Sequence, residues 1–378
     1  MELSRETIPQ YLRERQSEIG FFSSDTNLHS EEIGDGNLNF VYRVFDTEQP
    51  ERSLVLKQAP PYIKILGPDY PLPPDRLTFE SLSLGIYNQF ASEAVPTQYY
   101  FDSDAAVIVM EDLRGYRLLR DDLIAGQVNQ KIPELIGQFM GSVHSQTYAD
   151  NLDSASVDKY REDFANTVMQ SITADYVFTL PFIEHETNFW TKGLESEILR
   201  LKTDDTFSQQ AQNLKTIFLT AQQGLTHGDL HTGSIMVKGN SAKVIDSEFA
   251  FYGPVGFDIG LYWANYFLSY FSHTDNSDVQ PELKTAIVQT WNAYTTEFQM
   301  ADEVQETRTL QQIFHESVGF AGMEILRRII GAAHVKDIER IEDVQRKLRI
   351  ETAILEFGST LVKQHQNIST IDELIELL

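Results

Sequence analysis

The sequence contains no cysteine and no long hydrophobic run. The first absence excludes disulfide bonds and thiolate metal sites, and it is consistent with the reducing cytoplasm. No stretch approaches the roughly 20 apolar residues of a membrane helix. The opening MELSRETIPQYLRERQ also lacks the apolar segment of an export signal. We therefore expect a cytoplasmic protein that has no membrane partner.

Basic residues are scarce as well. The chain has 30 Lys and Arg against 56 Asp and Glu, which gives a formal net charge of −26. A protein that binds the nucleic-acid backbone needs a clustered basic face, so we expect no nucleic-acid partner. An anionic small ligand would need a local positive site, such as a few Lys or Arg side chains or a bound cation. Otherwise the acidity is explained by a well-solvated surface.

The order of apolar periodicities divides the 378 residues into two parts. Alternating or β-branched runs predict three strands in the first part, at 37–45, 53–59 and 105–113, with a helix from about 77 to 90. Later, helical periods dominate, apart from one predicted hairpin in which SIMVK and AKVID flank a Gly-Asn turn. We therefore predict an α+β fold with a strand-rich N-terminal lobe, 1–113, and a mainly helical C-terminal lobe, 114–378.

Chemistry concentrates in the stretch HGDLHTGSIMVKGNSAKVIDSEFAFYGP, which contains that hairpin. Asp229 lies in a loop before the hairpin, and Asp246 and Glu248 lie where its second strand ends. Two carboxylates at i and i+2 can converge on a hard cation, which prefers oxygen ligands. Asp229 could then accept a proton from a substrate hydroxyl, which is the division of labour in phosphoryl transfer. As an alternative, H-x-D-x-H at 227–231 is similar to part of a metallohydrolase ligand set, but no second histidine cluster follows.

Three weaker signals come earlier in the chain. Gly34-Asp35-Gly36 can form a tight turn that approaches a ligand, although it can equally be an ordinary β-turn. Lys57 lies on an apolar strand, where a buried ammonium needs a partner such as Glu80 or a phosphate group; the alternative is a solvated lysine at a sheet edge. The strand VIVMEDL ends at the lobe boundary, where its backbone could meet a flat heterocycle.

In chain order these elements resemble the protein-kinase-like arrangement. HGDLHTGSIM followed by VIDSEFAFYGPVGFDIG resembles the 5-methylthioribose kinases, a family of small-molecule kinases of methionine salvage that is related to the aminoglycoside and choline kinases. The resemblance spans most of the chain, because EIGDGNLNFVYRV, KQAPPYIKILGPDYPLPPDR, VMEDL and GMEILRRIIG fall in the family's order. It implies a two-lobed protein-kinase-like fold, transfer of phosphate from ATP to O1 of 5-methylthioribose, Mg²⁺ as cofactor, and a homodimer.

The resemblance also implies roles for individual residues. The N-terminal lobe would bind nucleotide. Its ATP-binding residues would be Gly34, Asp35, Gly36, Asn37 and Asn39 over the phosphates, Lys57 with Glu80 at the α- and β-phosphates, and the backbone of Glu111 and Leu113 at adenine. The C-terminal lobe would carry Asp229 as the catalytic base bound to the sugar hydroxyl, Asp246 and Glu248 as magnesium ligands, and Arg327 and Arg328 at the sugar or the transferring phosphoryl group.

Two positions depart from the patterns of relatives. Ser234 stands where wider relatives place an asparagine metal ligand, although serine is the methylthioribose kinase pattern, so Glu248 would take more of the metal binding. Ser247 stands where the family often has proline, which we expect to loosen the backbone there. For the arginine pair, residue types alone favour a surface role, because Glu324 can pair with either arginine at i+3 or i+4. The resemblance favours a functional role for at least one of them.

Two other functions stay open on the sequence. A related kinase could act on an aminoglycoside, choline or another amino alcohol, but a cationic acceptor favours an acidic pocket, which the arginine pair argues against. A non-catalytic nucleotide-binding module of the same fold is the alternative from another class. Lys57, Asp229, Asp246 and Glu248 speak against it, because such a module has no chemical need for all four.

Overall fold

An antiparallel sheet organises the N-terminal part of the computed structural model, which describes residues 2–34, 36–276 and 278–378. Two short helices precede the sheet, α1 (Ile8–Glu14) and α2 (Gln16–Ile19). Five strands form it: β1 (Leu28–Glu32), β2 (Phe40–Asp46), β3 (Ser53–Gln58), β4 (Gln98–Asp102) and β5 (Val107–Glu111). Their order across the sheet is β1-β2-β3-β5-β4, and α3 (Arg76–Ala91) lies in the chain between β3 and β4.

The central strands are the ones that the sequence predicted. β3 and β5 are buried along most of their length, as their apolar composition requires. The predicted strand at 37–45 begins three residues later, at Phe40, because residues 37–39 belong to the loop before it. The outer strands β1 and β4 were not predicted, since LHSEE and QYYFD lack a clear apolar alternation.

Helix α3 connects the sheet to the rest of the molecule. Near its start, Leu77 packs in a cluster with Ile108 and Met110 of β5. Further along, Leu84 and Tyr87 belong to the main core of the C-terminal part. The Tyr87 ring meets the ring of Phe139 edge-on, with 5.2 Å between centroids. Because one helix contributes to both cores, its position depends on the two parts together.

The C-terminal part is mainly helical, as predicted. Its helices are α4 (Leu119–Ile124), α5 (Lys131–Thr147), α6 (Ser154–Asp163), α7 (Thr167–Phe178), α8 (Glu195–Lys202), α9 (Asp205–Thr220), α10 (Gly256–Ser272), α11 (Val279–Glu297), α12 (Glu303–Ile330), α13 (Lys336–Glu339), α14 (Val344–Gln364) and α15 (Ile371–Glu376). Single 3-10 turns occur at Ser92–Ala94, Ala149–Asn151, Leu180–Phe182 and Thr232–Ser234. Among the described residues, no helix is long and apolar enough to cross a membrane.

Short strands in the C-terminal part frame the predicted chemistry. The hairpin around the Gly-Asn turn is confirmed as β8 (Ile235–Lys238) and β9 (Ser241–Val244). The structure adds β6 (Arg117–Leu118), which pairs with β8, and a separate ladder of β7 (Gly224–Thr226) with β10 (Phe251–Gly253). The prediction of only one hairpin here was incomplete, because strands of two or three residues leave no periodicity to read.

Helix α10 forms the centre of the C-terminal core. Nearly all of its residues are buried, including Trp263 at 0% exposure. It lies close against α12: a Cβ on Gly260 would be 2.7 Å from Cβ of Phe320 and 2.8 Å from the Ser317 carbonyl oxygen. Glycine is therefore required where these helices touch. This packing fixes the start of α10, which anchors the loop that carries Asp229.

Candidate active site

The loop before the hairpin is anchored by Asp258, in the first turn of α10. The Asp258 carboxylate accepts the backbone N–H of His227 at 2.6 Å and that of Gly228 at 3.0 Å. Gly228 has φ of 80°, and a Cβ there would lie 2.2 Å from the Phe249 carbonyl oxygen, so only glycine fits. The loop therefore presents Asp229 from a rigid support.

Sequence reasoning assigned no role to Asp258. It is 1% exposed, and the ring of the buried His144 lies with Nε2 3.3 Å from its Oδ2. A buried carboxylate must be paired or hydrogen-bonded, so an acidic residue at the start of so apolar a helix was a usable signal. The segment GFDIG contains that signal, but its partner lies about thirty residues earlier and only the fold identifies it.

The histidines of the H-x-D-x-H motif bind backbone groups. His227 Nδ1 accepts the Asp229 N–H at 3.2 Å, and its Nε2 lies 3.0 Å from the Ile245 carbonyl oxygen, to which it donates. His231 Nδ1 accepts the N–H of Gly233 at 2.9 Å. In the described part of the chain, no group of three or more His, Asp or Glu side chains is placed to hold a metal ion. The metallohydrolase alternative therefore finds no support.

Asp229 lies in a strongly polar environment with its carboxylate partly open, at 28% exposure. Oδ2 is 3.5 Å from His231 Nε2. Burial works to raise the pKa of this carboxyl, but His231 and the guanidinium groups of Arg328 and Arg327 outweigh it, so the pKa is held below its ordinary value. The side chain is thus an anion at neutral pH. Ser234 donates from Oγ to the Asp229 backbone carbonyl at 3.1 Å, which further fixes the loop.

The arginine pair makes the contacts with Glu324 that the residue types suggested. Glu324 of α12 is fully buried, and its Oε1 accepts from Arg327 Nη2 at 3.0 Å and from Arg328 Nε at 2.7 Å. The charges of both guanidinium groups also help to lower the pKa of Asp229. The i+3 and i+4 pairing therefore exists, and both arginine side chains are only 11% exposed, so the expected surface position is wrong.

Lys57 of β3 reaches across the lobe boundary. Its Nζ is 2.6 Å from Glu80 Oε2 on α3, which is the partner that the sequence suggested, and it also contacts Asp246 Oδ1. Burial works to lower the pKa of this ammonium, but the carboxylates of Asp246 and Glu80 outweigh it and raise that pKa. The solvated edge lysine, the alternative account, is wrong because the side chain is only 7% exposed.

Asp246 and Glu248 follow β9 but occupy different environments. The Asp246 side chain is 48% exposed, whereas that of Glu248 is 3% exposed. Asp246 adopts φ of 71°, a left-handed conformation that is rare for a residue with Cβ and recurs at functional sites. The Lys57 ammonium opposes the effect of burial and lowers the pKa of Asp246. Burial raises the pKa of Glu248.

Glu248 is held by residues from the N-terminal part. Its Oε2 accepts from Asn39 Nδ2 at 2.8 Å and lies 3.2 Å from Arg76 Nε. Arg76, at 1% exposure, also donates to the backbone carbonyls of Pro60 and Pro73. Sequence reasoning missed Arg76 and placed Asn39 over the phosphates, whereas the Asn39 side chain points to Glu248. An arginine opening a helix gives no local indication of such a partner.

The two carboxylates after β9 are suited to hold a magnesium ion whose other ligands are phosphate oxygens and water. Mg²⁺ in nucleotide sites usually takes one or two protein carboxylates and completes its octahedral shell with phosphate oxygens and water. Asp246 and Glu248 supply hard oxygen donors two residues apart. Ser247 between them is 1% exposed, and its Oγ lies 2.7 Å from Ser83 Oγ of α3. The serine hydroxyl therefore ties this segment to α3, where we expected the missing proline to loosen it.

The predicted nucleotide loop joins β1 to β2. Gly34 has φ of 76°, a conformation that favours glycine, and a Cβ on Gly36 would lie 3.2 Å from the Asn39 carbonyl oxygen. The carbonyl of Asn37 accepts the N–H of Ile65 at 3.1 Å, which ties the loop to the segment after β3. Asp35, also predicted to bind ATP, lies outside the described residues.

Two predicted adenine contacts lie where β5 ends. The N–H of Glu111 donates to the Thr97 carbonyl at 2.8 Å, and its Oε2 accepts the N–H of Thr97 at 3.1 Å. The Leu113 carbonyl accepts the N–H of Tyr116 at 3.0 Å. The Glu111 amide and the Leu113 carbonyl are thus already hydrogen-bonded within the protein. A ligand would therefore bind the other backbone group of each residue.

Comparison with known proteins places this site in a family. Residues 29–294 match the phosphotransferase enzyme family. A solved glucosamine kinase has a similar fold, with a TM-score of 0.52 and 10% sequence identity over 93% of this chain and 82% of that one. Together with the two-part architecture and its helical C-terminal part, these matches define a small-molecule kinase with a protein-kinase-like fold.

Closer relatives narrow the assignment. The methylthioribose kinase of Geobacillus sp. (strain WCH70) is 36% identical over 95% of this chain and 92% of its own length. That of Bacillus velezensis (strain DSM 23117 / BGSC 10A6 / LMG 26770 / FZB42) is 38% identical over 95% of this chain and 92% of its own length. The chain belongs to the methylthioribose kinase family.

Proposed function

We propose that the protein transfers the γ-phosphoryl group of MgATP to O1 of 5-methylthioribose, giving the 1-phosphate. The observation that carries the proposal is the pairing of full-length similarity to methylthioribose kinases with the surroundings of Asp229. A part-exposed carboxylate whose pKa is lowered by the positive charges of Arg327 and Arg328 suits a neutral sugar that receives an anionic group. A cationic amino alcohol would be repelled there.

Asp229 is the proposed catalytic base. Because its pKa is held low, it is a weak base whose main work is to accept a hydrogen bond from the anomeric hydroxyl and aim it at the phosphorus. That suits a loose transition state, in which little proton transfer is needed before the bond to the leaving oxygen breaks. Arg327 and Arg328 are proposed to bind the sugar or the charge on the transferring group.

The N-terminal part would hold the nucleotide. Lys57, oriented by Glu80, is proposed to reach the α- and β-phosphates, and Gly34, Asp35, Gly36 and Asn37 to cover them. Asn39 would act differently from our first expectation, by holding Glu248 in place. At adenine we propose the carbonyl of Glu111 and the amide of Leu113, because the other backbone group of each is engaged.

Asp246 and Glu248 are the residues that would hold Mg²⁺. When bound, the cation neutralises charge on the phosphate oxygens during transfer. The chain's own part is to keep the two carboxylates in place, through Lys57 at Asp246 and through Asn39 and Arg76 at Glu248. A role in methionine salvage, a location in the cytoplasm and a homodimer also belong to this proposal. Light scattering on the purified protein would test the homodimer.

The direct test measures ADP release from MgATP with 5-methylthioribose, ribose, choline and an aminoglycoside as acceptors. We expect turnover with methylthioribose alone, and a fall in kcat of about 10²-fold or more for Asp229→Asn, the loss that misalignment of the attacking group causes. Asp158→Asn, an acid on α6 at 72% exposure, is the matched control and should leave kcat unchanged. Turnover only with another acceptor would refute the proposal that methylthioribose is the substrate. ATP binding without turnover on any acceptor would refute the proposal that the protein is an enzyme.

A further inference from the structure

The two ring nitrogens of His231 have different partners, and the partner of Nδ1 determines whether Nε2 carries a proton. The residue caps the 3-10 turn Thr232–Ser234, where its Nδ1 accepts the N–H of Gly233 at 2.9 Å. A backbone amide can only donate, so Nδ1 must present a lone pair. The neutral imidazole then carries its proton on Nε2. His231 is thereby fixed as a donor at Nε2.

That nitrogen lies close to the carboxylate of Asp229. Nε2 lies 3.5 Å from Oδ2 of Asp229, with the two side chains 21% and 28% exposed. The separation is longer than an optimal N–H···O contact, as is common at catalytic groups that tighten only around substrate. The backbone supports the same arrangement, because the N–H of His231 donates to the Asp229 carbonyl at 3.0 Å.

The ring packs closely against Gly233. A Cβ on Gly233 would lie 2.7 Å from Cε1 of His231 and 3.0 Å from Nη1 of Arg120, so the ring occupies the space that a side chain at position 233 would need. Arg327 and Arg328 supply charge near Asp229 from α12. His231 differs from these arginines because its neutral ring has a single N–H donor, whereas each guanidinium group has five.

We infer that His231 is a positioning residue for the proposed base: it holds Oδ2 of Asp229, so that Oδ1 is the oxygen presented to the acceptor hydroxyl. Without the contact the carboxylate can rotate about its Cβ–Cγ bond and exchange its two oxygens. The ground-state affinity for sugar would change little, but the fraction of complexes aligned for transfer would fall. The inference rests on the proposed function, because it assigns Asp229 the role of base.

Two substitutions separate this role from capping. Asn at position 231 can still accept the Gly233 N–H, since asparagine is a good capping residue, but it is too short to reach Asp229. Gln can place an N–H near the position of Nε2 while losing the cap. We therefore expect His231→Asn to lower kcat by about tenfold or more, as loss of a hydrogen bond to a charged group would, with the KM for methylthioribose within about threefold. His231→Gln should keep most of kcat and lower Tm instead.

The experiment uses the full chain with MgATP and methylthioribose, and adds Asp229→Asn and Asp229→Asn/His231→Asn. If His231 acts through the carboxylate, its substitution has no further effect in the Asp229→Asn background. An Asn variant as active as wild type, or one that lowers kcat equally in both backgrounds, overturns the inference while the proposed function stands. If the Gln variant fails to fold, the Asn variant decides alone because it retains the cap. Wild-type protein that phosphorylates no acceptor overturns the proposed function and the inference with it.

Discussion

Glu324 is a single buried carboxylate that orients two arginines at the site. Its side chain is 0% exposed, whereas Arg327 and Arg328 are each 11% exposed. Removing one partner of a buried ion pair leaves the other charge uncompensated, at a cost of about 3–5 kcal/mol. Loss of the Glu324 carboxylate should therefore lower the stability of the protein and also displace the two guanidinium groups.

We predict that Glu324→Gln lowers the free energy of unfolding at pH 7 by about 3 kcal/mol and also reduces kcat. Burial alone would raise the pKa of Glu324, but Arg327 and Arg328 outweigh it and lower that pKa below its unfolded value. The carboxylate therefore contributes fully to the free energy of unfolding at any pH above its pKa in the unfolded chain. This contribution is lost as the pH falls through the pKa of the carboxyl in the folded protein. The difference between variant and wild type should be constant from pH 6 to 8 and shrink below about pH 4.

Urea unfolding at pH 7 and at about pH 3 measures this difference. Glu356→Gln on α14 is the matched control, because its pair with Arg200 is exposed, at 62% and 67%. That substitution should change stability by less than about 0.5 kcal/mol at either pH. Equal effects of the two substitutions at pH 7 would contradict the role assigned to Glu324.

At the scale of elements, α3 joins the lysine of the sheet to the segment after β9. Ser83 donates from Oγ to the Glu80 carbonyl at 3.0 Å, so the 2.7 Å bond between Ser83 and Ser247 has the Ser247 hydroxyl as donor. A hydroxyl has one proton, and Ser83 has used its own. Thus the residue between the two proposed magnesium ligands is bound to the helix whose Glu80 holds Lys57.

A double-mutant cycle tests this link. Ser83→Ala and Ser247→Ala should each raise the magnesium concentration needed for half-maximal activity, and the double variant should resemble either single one. The coupling energy expected for one buried hydrogen bond is about 1 kcal/mol. Ser317→Ala is the control, since that buried hydroxyl bonds within its own helix to Ile313 at 2.7 Å. The effects of Ser247→Ala and Ser317→Ala on the magnesium requirement, expressed as free energies, should be additive. Additive effects of Ser83→Ala and Ser247→Ala would instead disprove the link between these two residues.

At the scale of the molecule, we predict that the two parts unfold together. Leu84 and Tyr87 of α3 lie in the C-terminal core although Leu77 of the same helix packs on the sheet, so unfolding of either part would expose buried residues of this helix. The three tryptophans are Trp190, Trp263 and Trp291, all in the C-terminal part. Their fluorescence should therefore follow the same thermal transition as far-UV circular dichroism, which reports both parts. A dichroism change that precedes the fluorescence change would show that the N-terminal part unfolds by itself.

The sequence by itself determined the types of element and the order of the reactive groups. Alternation of apolar residues is a local property, so β3, β5 and the hairpin after Asp229 could be predicted, whereas β7 and β10 are too short to carry a period. Lys57, Asp229, Asp246 and Glu248 were found because ionisable residues beside apolar strands are unusual, and because the family resemblance gave them roles that still await experiment.

Only the tertiary structure decided which groups meet. Asn39 and Glu248 are 209 residues apart and bond at 2.8 Å, and Asp258 anchors a loop that precedes its own helix. Such contacts depend on how β2, α3 and α10 pack, and packing is a property of all the buried side chains together rather than of any short segment. For the same reason the roles of Arg76 and Asp258 could not be predicted from the sequence. The 3.5 Å approach of His231 Nε2 to Oδ2 of Asp229 likewise exists only in the folded chain.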